Sequence, residues 1–319
     1  MNNIELFKKN FDPYLKEYLN KKIRNTSDYT GDPFIQDYIR YIKKLILAGG
    51  KRIRPYIAFL IYEILGGKEK TQTLKFLVSL ELFHSFCLVH DDIMDKAGFR
   101  HGIKSINKYI LGKLNQQKRL NDLVHIANSQ SILSGDLLFN WSYEILNLNN
   151  DFSQKIMQKI RIIFHKMADE VIVGQMIDVD ITTRKKISKK LLDQKTYLKT
   201  AGYSFIKPLQ IGAALAGKNT KKVEKFCKEF GLAMGIAFQT QDDLLDITSS
   251  DKKLQKTTSL DKSQNQHTYF TYFKSLKEGK KIIEKNFNKA KDLVKKLSIK
   301  QGAKRKFLDL IEIMEKRAF

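Results

Sequence analysis

The sequence predicts an all-α fold, one domain of helices bundled around a deep central cavity, and three observations carry the prediction. Only four prolines and 17 glycines occur in 319 residues, too few for a turn-rich β protein. Leu77, Leu80, His84, Cys87, Asp91 and Asp95 alternate in spacing between three and four, tracing one helical stripe that changes from apolar to acidic. No segment of the sequence shows sustained strand alternation closed by hairpin turns.

In chain order, residues 1–40 read as N-terminal helices, with a polar loop over 25–33. An apolar run at 56–65 ends in a loop over 66–71, and the apolar-to-acidic stripe follows before a loop at 96–104. Helical periodicity returns over 156–178, 223–246 and 279–297, with an apolar segment at 201–216 between the first two. Loops over 146–152, 182–190 and 217–220 separate these stretches. Residues 247–268 are expected to cap the cavity, with 249–266 as loop. None of these loops has the composition of a long Pro- or Ser-rich linker, so residues 1–319 read as a single domain.

Hydrophobic residues make up 42% of the chain, ample for a core. Its two cysteines, Cys87 and Cys227, cannot build a disulfide framework. Both lie in apolar helical contexts and read as reduced buried thiols, which points to the cytoplasm. The first 20 residues mix lysines, acids and single apolar residues and lack the hydrophobic stretch of a signal peptide. No window reaches the roughly 18 apolar residues of a membrane span. A net charge of +24 raises nucleic acid as a partner, but the lysines are spread along the chain without zinc-finger spacing or an RNA-binding aromatic motif. No nucleic-acid partner is expected.

Against that positive charge stand two copies of one acidic signature, Asp91-Asp92-Ile93-Met94-Asp95 and Asp242-Asp243-Leu244-Leu245-Asp246, about 150 residues apart. The first and last aspartates of each copy share a helix face, roughly 6 Å apart along the axis. Like charges at that spacing repel, so the arrangement suits a divalent cation, and carboxylate oxygens suit Mg²⁺. Apolar residues run into each copy, Phe83, Phe86, Cys87, Leu88 and Val89 before the first and Gly235, Ile236, Ala237 and Phe238 before the second. Acids that close an apolar stretch sit naturally at a pocket mouth.

A second set of residues is basic. Gly49-Gly50-Lys51-Arg52-Ile53-Arg54-Pro55 places cations at a helix start, where a diphosphate could meet both side chains and backbone N–H groups. Arg100 and His101 follow Gly98 in a short loop after the first acidic motif, and His84 lies two turns before Asp91 on the same face. Lys199-Thr200 and Gln239 complete the polar set, the last of these one turn before Asp242.

In this order and spacing, the strings GGKRIRP, HSFCLVHDDIMDKAGFR, YLKTAGYSF and FQTQDDLLDI resemble the trans-isoprenyl diphosphate synthases, the polyprenyl synthetase family, over residues 45–300. Ile132-Leu133-Ser134-Gly135-Asp136 and Gly174-Gln175 extend the resemblance, which is to the short-chain, geranylgeranyl or farnesyl type. It implies an all-α homodimer that condenses an allylic diphosphate with isopentenyl diphosphate. Carried over, Asp91 and Asp95 would hold two Mg²⁺ ions and Asp242 a third, about three per site, with Asp92, Asp243 and Asp246 as secondary candidates. Arg100, Lys199 and Lys256 match positions that grip the allylic diphosphate. Lys51, Arg54, His84 and His101 match the isopentenyl diphosphate site. The Thr200 and Gln239 oxygens and the Lys199 carbonyl would stabilise an allylic carbocation by fixed dipoles.

Two departures from the family pattern stand out. A second arginine usually follows the position of Arg100 and here is His101, which with an ordinary pKa near 6.5 is expected to carry part of a charge at neutral pH. A Gly-Lys pair usually follows the position of Lys256, where this chain has Asn265-Gln266. Phe86 and Cys87, five and four residues before Asp91, match the positions that set product length, and an aromatic beside a small residue resembles short-chain enzymes. The expected product has roughly fifteen to twenty carbons. A class I terpene cyclase shares the cavity and one acidic motif but has no use for a second diphosphate site. A non-catalytic partner subunit of a heteromeric synthase would keep the fold.

Overall fold

Side-chain oxygens start the first two helices. The computed structural model describes residues 2–248, 267–273 and 275–316, with the side chains of 246–248 outside that description. Lys256, Asn265, Gln266 and the side chain of Asp246 therefore lie outside the described residues, as does most of the expected capping loop. Helix α1 (Asn3–Ser27) begins at Asn2, whose side chain accepts from the N–H groups of Ile4 and Glu5 while Glu5 reaches back to the Asn2 N–H, a reciprocal cap. Helix α2 (Pro33–Ala48) begins at Asp32, which accepts from Phe34 and Ile35, with proline in the first turn.

Helices α3 (Ile53–Ile64) and α4 (Lys70–Met94) follow. A two-residue hairpin, β1 (Phe99–Arg100) and β2 (Ile103–Lys104), pairs antiparallel with Arg100 opposite Ile103. The sequence reading has only a loop here, because four strand residues are too few to display an alternation. Then come α5 (Ile106–Gln116), α6 (Leu123–Leu148), α7 (Gln154–Ile181) and α8 (Lys189–Lys195). An 11-residue π-helical segment, Thr196–Ile206, leads into α9 (Lys207–Leu215) and α10 (Lys221–Thr248). The C-terminal elements are α11 (Tyr269–Phe273), α12 (Leu276–Lys295) and α13 (Gln301–Glu315). The second helix runs past residue 40 to Ala48, so the N-terminal helical region is longer than the sequence reading allows.

Helix α4 is largely buried. Phe76, Leu77, Leu82 and Phe83 on it are fully buried, and the Phe83 ring meets Phe86 at 5.4 Å, Phe164 at 5.3 Å and Tyr203 at 6.0 Å between centroids. By length and composition α4 could cross a membrane. Its apolar window is 72% buried among neighbouring helices, which makes it a core helix of the bundle.

The π segment is pressed between α7 and α10. Gly174 on α7 permits this approach, because a Cβ there would stand 2.6 Å from the Lys199 backbone nitrogen. A wider helical turn in a confined place is frequently a functional feature, and this one carries Lys199, Thr200, Tyr203 and Ser204 on consecutive turns.

Candidate active site

Two adjoining cavities open beside α4. The larger, about 850 Å³, is lined by His84, Phe86, Cys87 and Asp91 from α4, Phe139 from α6, Gln175 and Met176 from α7, Lys199, Thr200 and Tyr203 from the π segment, and Gln239 and Asp242 from α10. The smaller, about 380 Å³, is lined by Lys51, Arg52, Glu81, Arg100 and His101. Arg54, His84, Leu88 and Phe238 belong to both. The structure thus brings the acidic set and the basic set together from distant parts of the chain into two compartments with a shared wall.

Asp91 and Asp242 face the larger cavity from α4 and α10. Burial pushes the Asp95 carboxyl up to about 6; Lys199 opposes the rise, and Asp91 and Asp178 add to it. A hard cation of the Mg²⁺ type takes one or two carboxylates and completes its shell with water and substrate phosphate. The donor set is all oxygen and the carboxylates crowd one another, so the residues present fit such an ion.

The second aspartate of each motif has a different task. Asp92 is 2% exposed and lines neither cavity; it accepts from Arg100 Nε at 3.0 Å and pairs with Arg100 Nη2. Burial raises its carboxyl against the pull of Arg100. Its other oxygen meets no hydrogen-bond donor among the described residues. Asp243 is also buried and accepts from Gln239 Nε2 at 2.8 Å. Asp92 and Asp243, expected as secondary metal candidates, each hold a neighbouring residue of the site through one carboxylate oxygen.

Thr200 Oγ1 donates to Gln239 Oε1 at 2.6 Å, and Gln239 passes its own N–H to Asp243, so the chain fixes the amide's orientation. Lys199 pairs with Asp178, whose other oxygen lies 3.1 Å from Lys195. Burial alone would lower the Lys199 ammonium; the charge of Asp91, followed by Asp178 and Asp95, raises it instead, so the group stays a cation.

In the basic compartment Arg54 Nη2 donates to Ser204 Oγ at 2.7 Å, with its guanidinium 4.3 Å from the Tyr203 ring centre. The Tyr203 hydroxyl and His84 Nδ1 lie 2.5 Å apart. Burial, then Arg54 and Arg100, hold His84 well below its ordinary pKa, so it is a neutral imidazole. His101 is lowered to about 4 by burial, then by Arg100, Arg52 and Lys8. The expected partial charge on His101 is therefore absent in the free protein, because the histidine stands among cations that disfavour another. A Cβ on Gly49 would sit 2.6 Å from the His101 ring, so only glycine lets the hairpin lie on this loop.

At the apolar end of the larger cavity, the Phe86 ring meets Phe139 at 5.1 Å and His90 at 4.8 Å. Beside it, burial raises the Cys87 thiol to about 12, with Asp91 adding, so it is inert. Phe139, Asp178 and Tyr203 belong to the site and are not singled out by the sequence reading. Tyr203 had a signal, since it lies one turn after Lys199 inside YLKTAGYSF; Asp178 lies one turn after Gly174.

The Asp178 carboxyl yields a pH prediction. Burial alone would raise it, and Lys199 and Lys195 overcome this and hold it at about 2. An unfolded aspartate titrates near 3.9, so the stabilisation is complete above roughly pH 4 and is lost as pH falls through about 2, about 2 kcal/mol in all. Asp178→Asn should be less stable at pH 7 by about that amount in urea unfolding, with the gap to wild type closing between roughly pH 4 and 2. A gap constant over that window counts against the pairing.

The sequence matches the Polyprenyl synthetase family over residues 35–301. It is 31% identical over 228 residues to a geranylgeranyl diphosphate synthase of Methanosarcina mazei, a match that covers 70% of this chain and 63% of that protein. A short chain isoprenyl diphosphate synthase of Methanocaldococcus jannaschii is 30% identical over 286 residues, 87% of this chain and 76% of the other. In fold, the chain superposes on a geranylgeranyl pyrophosphate synthase of Corynebacterium glutamicum, crystallised with isoprenyl diphosphate and magnesium, with a TM-score of 0.91 at 22% identity, covering 99% of this chain and 100% of that one. With two acidic helices facing one cavity and a cation-lined compartment beside it, the chain belongs to the polyprenyl synthetase family of prenyltransferases.

Proposed function

We propose that the chain condenses an allylic diphosphate with isopentenyl diphosphate to give an all-trans prenyl diphosphate of roughly fifteen to twenty carbons. The observation that carries this reading is the pair of compartments, one rimmed by Asp91 and Asp242 and the other lined by Lys51, Arg54, Arg100 and His101, with His84 in the wall between them. A terpene cyclase has no use for the second compartment.

In this reading Asp91, Asp95 and Asp242 would hold Mg²⁺, which would supply positive charge to neutralise the diphosphate as its bond to the allylic carbon breaks. Lys199, fixed as a cation by Asp91 and Asp178, grips the same diphosphate. The Thr200 and Gln239 oxygens, locked by the bond to Asp243, present fixed dipoles to the allylic cation that remains. Arg54 and Lys51 hold isopentenyl diphosphate so that its double bond meets that cation. The new carbon–carbon bond forms from those π electrons, and a proton leaves the product, accepted by the released diphosphate. No protein nucleophile is needed.

Exposed apolar side chains outside the cavity support a homodimer. Ile132 and Leu133 on α6 and Val173 on α7 are 45–56% exposed and line neither compartment. Light scattering should give twice the 37.1 kDa chain mass; a monomer at micromolar concentration rejects the dimer. The unpaired thiols Cys87 and Cys227 suit a reducing compartment, and we place the chain in the cytoplasm.

The reaction is tested by incubating the protein with Mg²⁺, labelled isopentenyl diphosphate and each allylic starter in turn, then separating the dephosphorylated products. A discrete fifteen- or twenty-carbon alcohol is expected, and no incorporation with any starter would favour a partner-subunit role. Phe86→Ala removes one of the rings closing the apolar end and should lengthen the product; an unaltered distribution takes Phe86 out of that role. His101→Arg supplies a permanent cation in place of a neutral imidazole and should lower KM for isopentenyl diphosphate by about tenfold, the size of one charged hydrogen bond. An unchanged KM would show that His101 does not face this substrate.

A further inference from the structure

Between Lys51 and Arg54 stands a third cation with a different environment. Arg52 is 3% exposed, whereas Lys51 is exposed and Arg54 half-buried. Each of its guanidinium nitrogens meets a different helix. Nε donates to Asp12 on α1 at 2.9 Å, Nη1 to Glu81 on α4 at 2.7 Å, and Nη2 to the Ile46 carbonyl on α2 at 2.9 Å. The planar fork of arginine suits three partners in fixed directions, and a lysine ammonium on the same stem would not span them.

The backbone at this point is strained. Arg52 has φ +54° and ψ +37°, in the left-handed region, two residues after Gly50 at φ +95°. For a residue with a side chain this conformation costs about 1–2 kcal/mol and persists only where the surroundings over-determine it. The three contacts of Arg52 are those surroundings. Arg52 is also the residue that precedes α3, so its position decides where α3 starts, and with it the direction of Arg54 in the first turn and of Lys51 just outside.

We propose that Arg52 is a positioning residue for the isopentenyl diphosphate compartment: it clamps residues 49–54 in the strained turn that aims Lys51 and Arg54, and it makes α1, through Asp12, part of that site. The proposal rests on the reading of the second compartment given above. None of its three hydrogen-bond partners, Asp12, Glu81 and Ile46, lines the acidic compartment.

The test measures KM for each substrate, kcat, and metal-free binding of isopentenyl diphosphate by calorimetry for wild type, Arg52→Lys, Asp12→Asn and Arg54→Ala, with thermal melting of each. Arg52→Lys keeps the charge and loses the fork. It should raise KM for isopentenyl diphosphate by about tenfold while KM for the allylic substrate and kcat stay within about twofold. Asp12→Asn removes the charge of one partner of Arg52 and should shift the same KM in the same direction by a smaller factor. If Arg52→Lys does not fold, Asp12→Asn decides, and an unchanged isopentenyl KM there overturns the proposal. A folded Arg52→Lys with unchanged isopentenyl KM, or with both KM values and kcat altered in parallel, also overturns it. Failure of the underlying reading looks different: Arg54→Ala would then bind isopentenyl diphosphate as wild type does.

Discussion

The buried pairing of Asp92 with Arg100 ties the two halves of the site together. Asp92 lies beneath the acidic end of α4, and Arg100 comes from the hairpin that walls the basic compartment. One bond therefore fixes the acidic rim relative to the cation cluster. The same device recurs elsewhere. Asp178 anchors Lys199, Asp243 holds Gln239, Ser204 holds Arg54, and Tyr203 meets His84. Lys199, Gln239, Arg54 and His84 are thus each steadied by a polar partner, which preorganises these groups before a substrate arrives.

Segregation of charge governs protonation in the free protein. Burial, and then the cations gathered around them, lower His84 and His101, and burial, with Asp91 and Asp178 adding and Lys199 opposing, raises Asp95. These opposite shifts share one leading cause, the loss of water around a charged group, to which neighbouring like charge adds. A dianionic group in one compartment and a cation in the other would each relieve the local excess. Lys199 is the exception, because it sits on the acidic side and is held charged by the carboxylates around it.

Much of this was legible in the sequence. The four strings fall on the segments that meet at the site, and of the apolar-to-acidic stripe on α4, His84, Cys87 and Asp91 line the larger cavity. The hairpin at Phe99–Arg100 and Ile103–Lys104 and the π segment were not, because neither has a periodicity long enough to be seen. The inward turn of Asp92 and Asp243 was also hidden. In a DDxxD string the adjacent aspartates differ by only 100° around the helix, and which of them meets solvent depends on what packs behind.

By itself, the sequence determined the helical architecture, the two acidic helices and the identity of the cations, since these follow from periodicity, composition and residue order. Tertiary structure decided which charged side chains face a cavity and which ones hold them there. It also decided that His101 is neutral and that Arg52, in the wall of the compartment, is committed to three protein partners. The physical reason is that protonation, burial and direction are properties of a side chain's neighbours, and those neighbours, Asp12, Glu81 and Ile46 for Arg52, are supplied by helices distant in the chain or turned away in it.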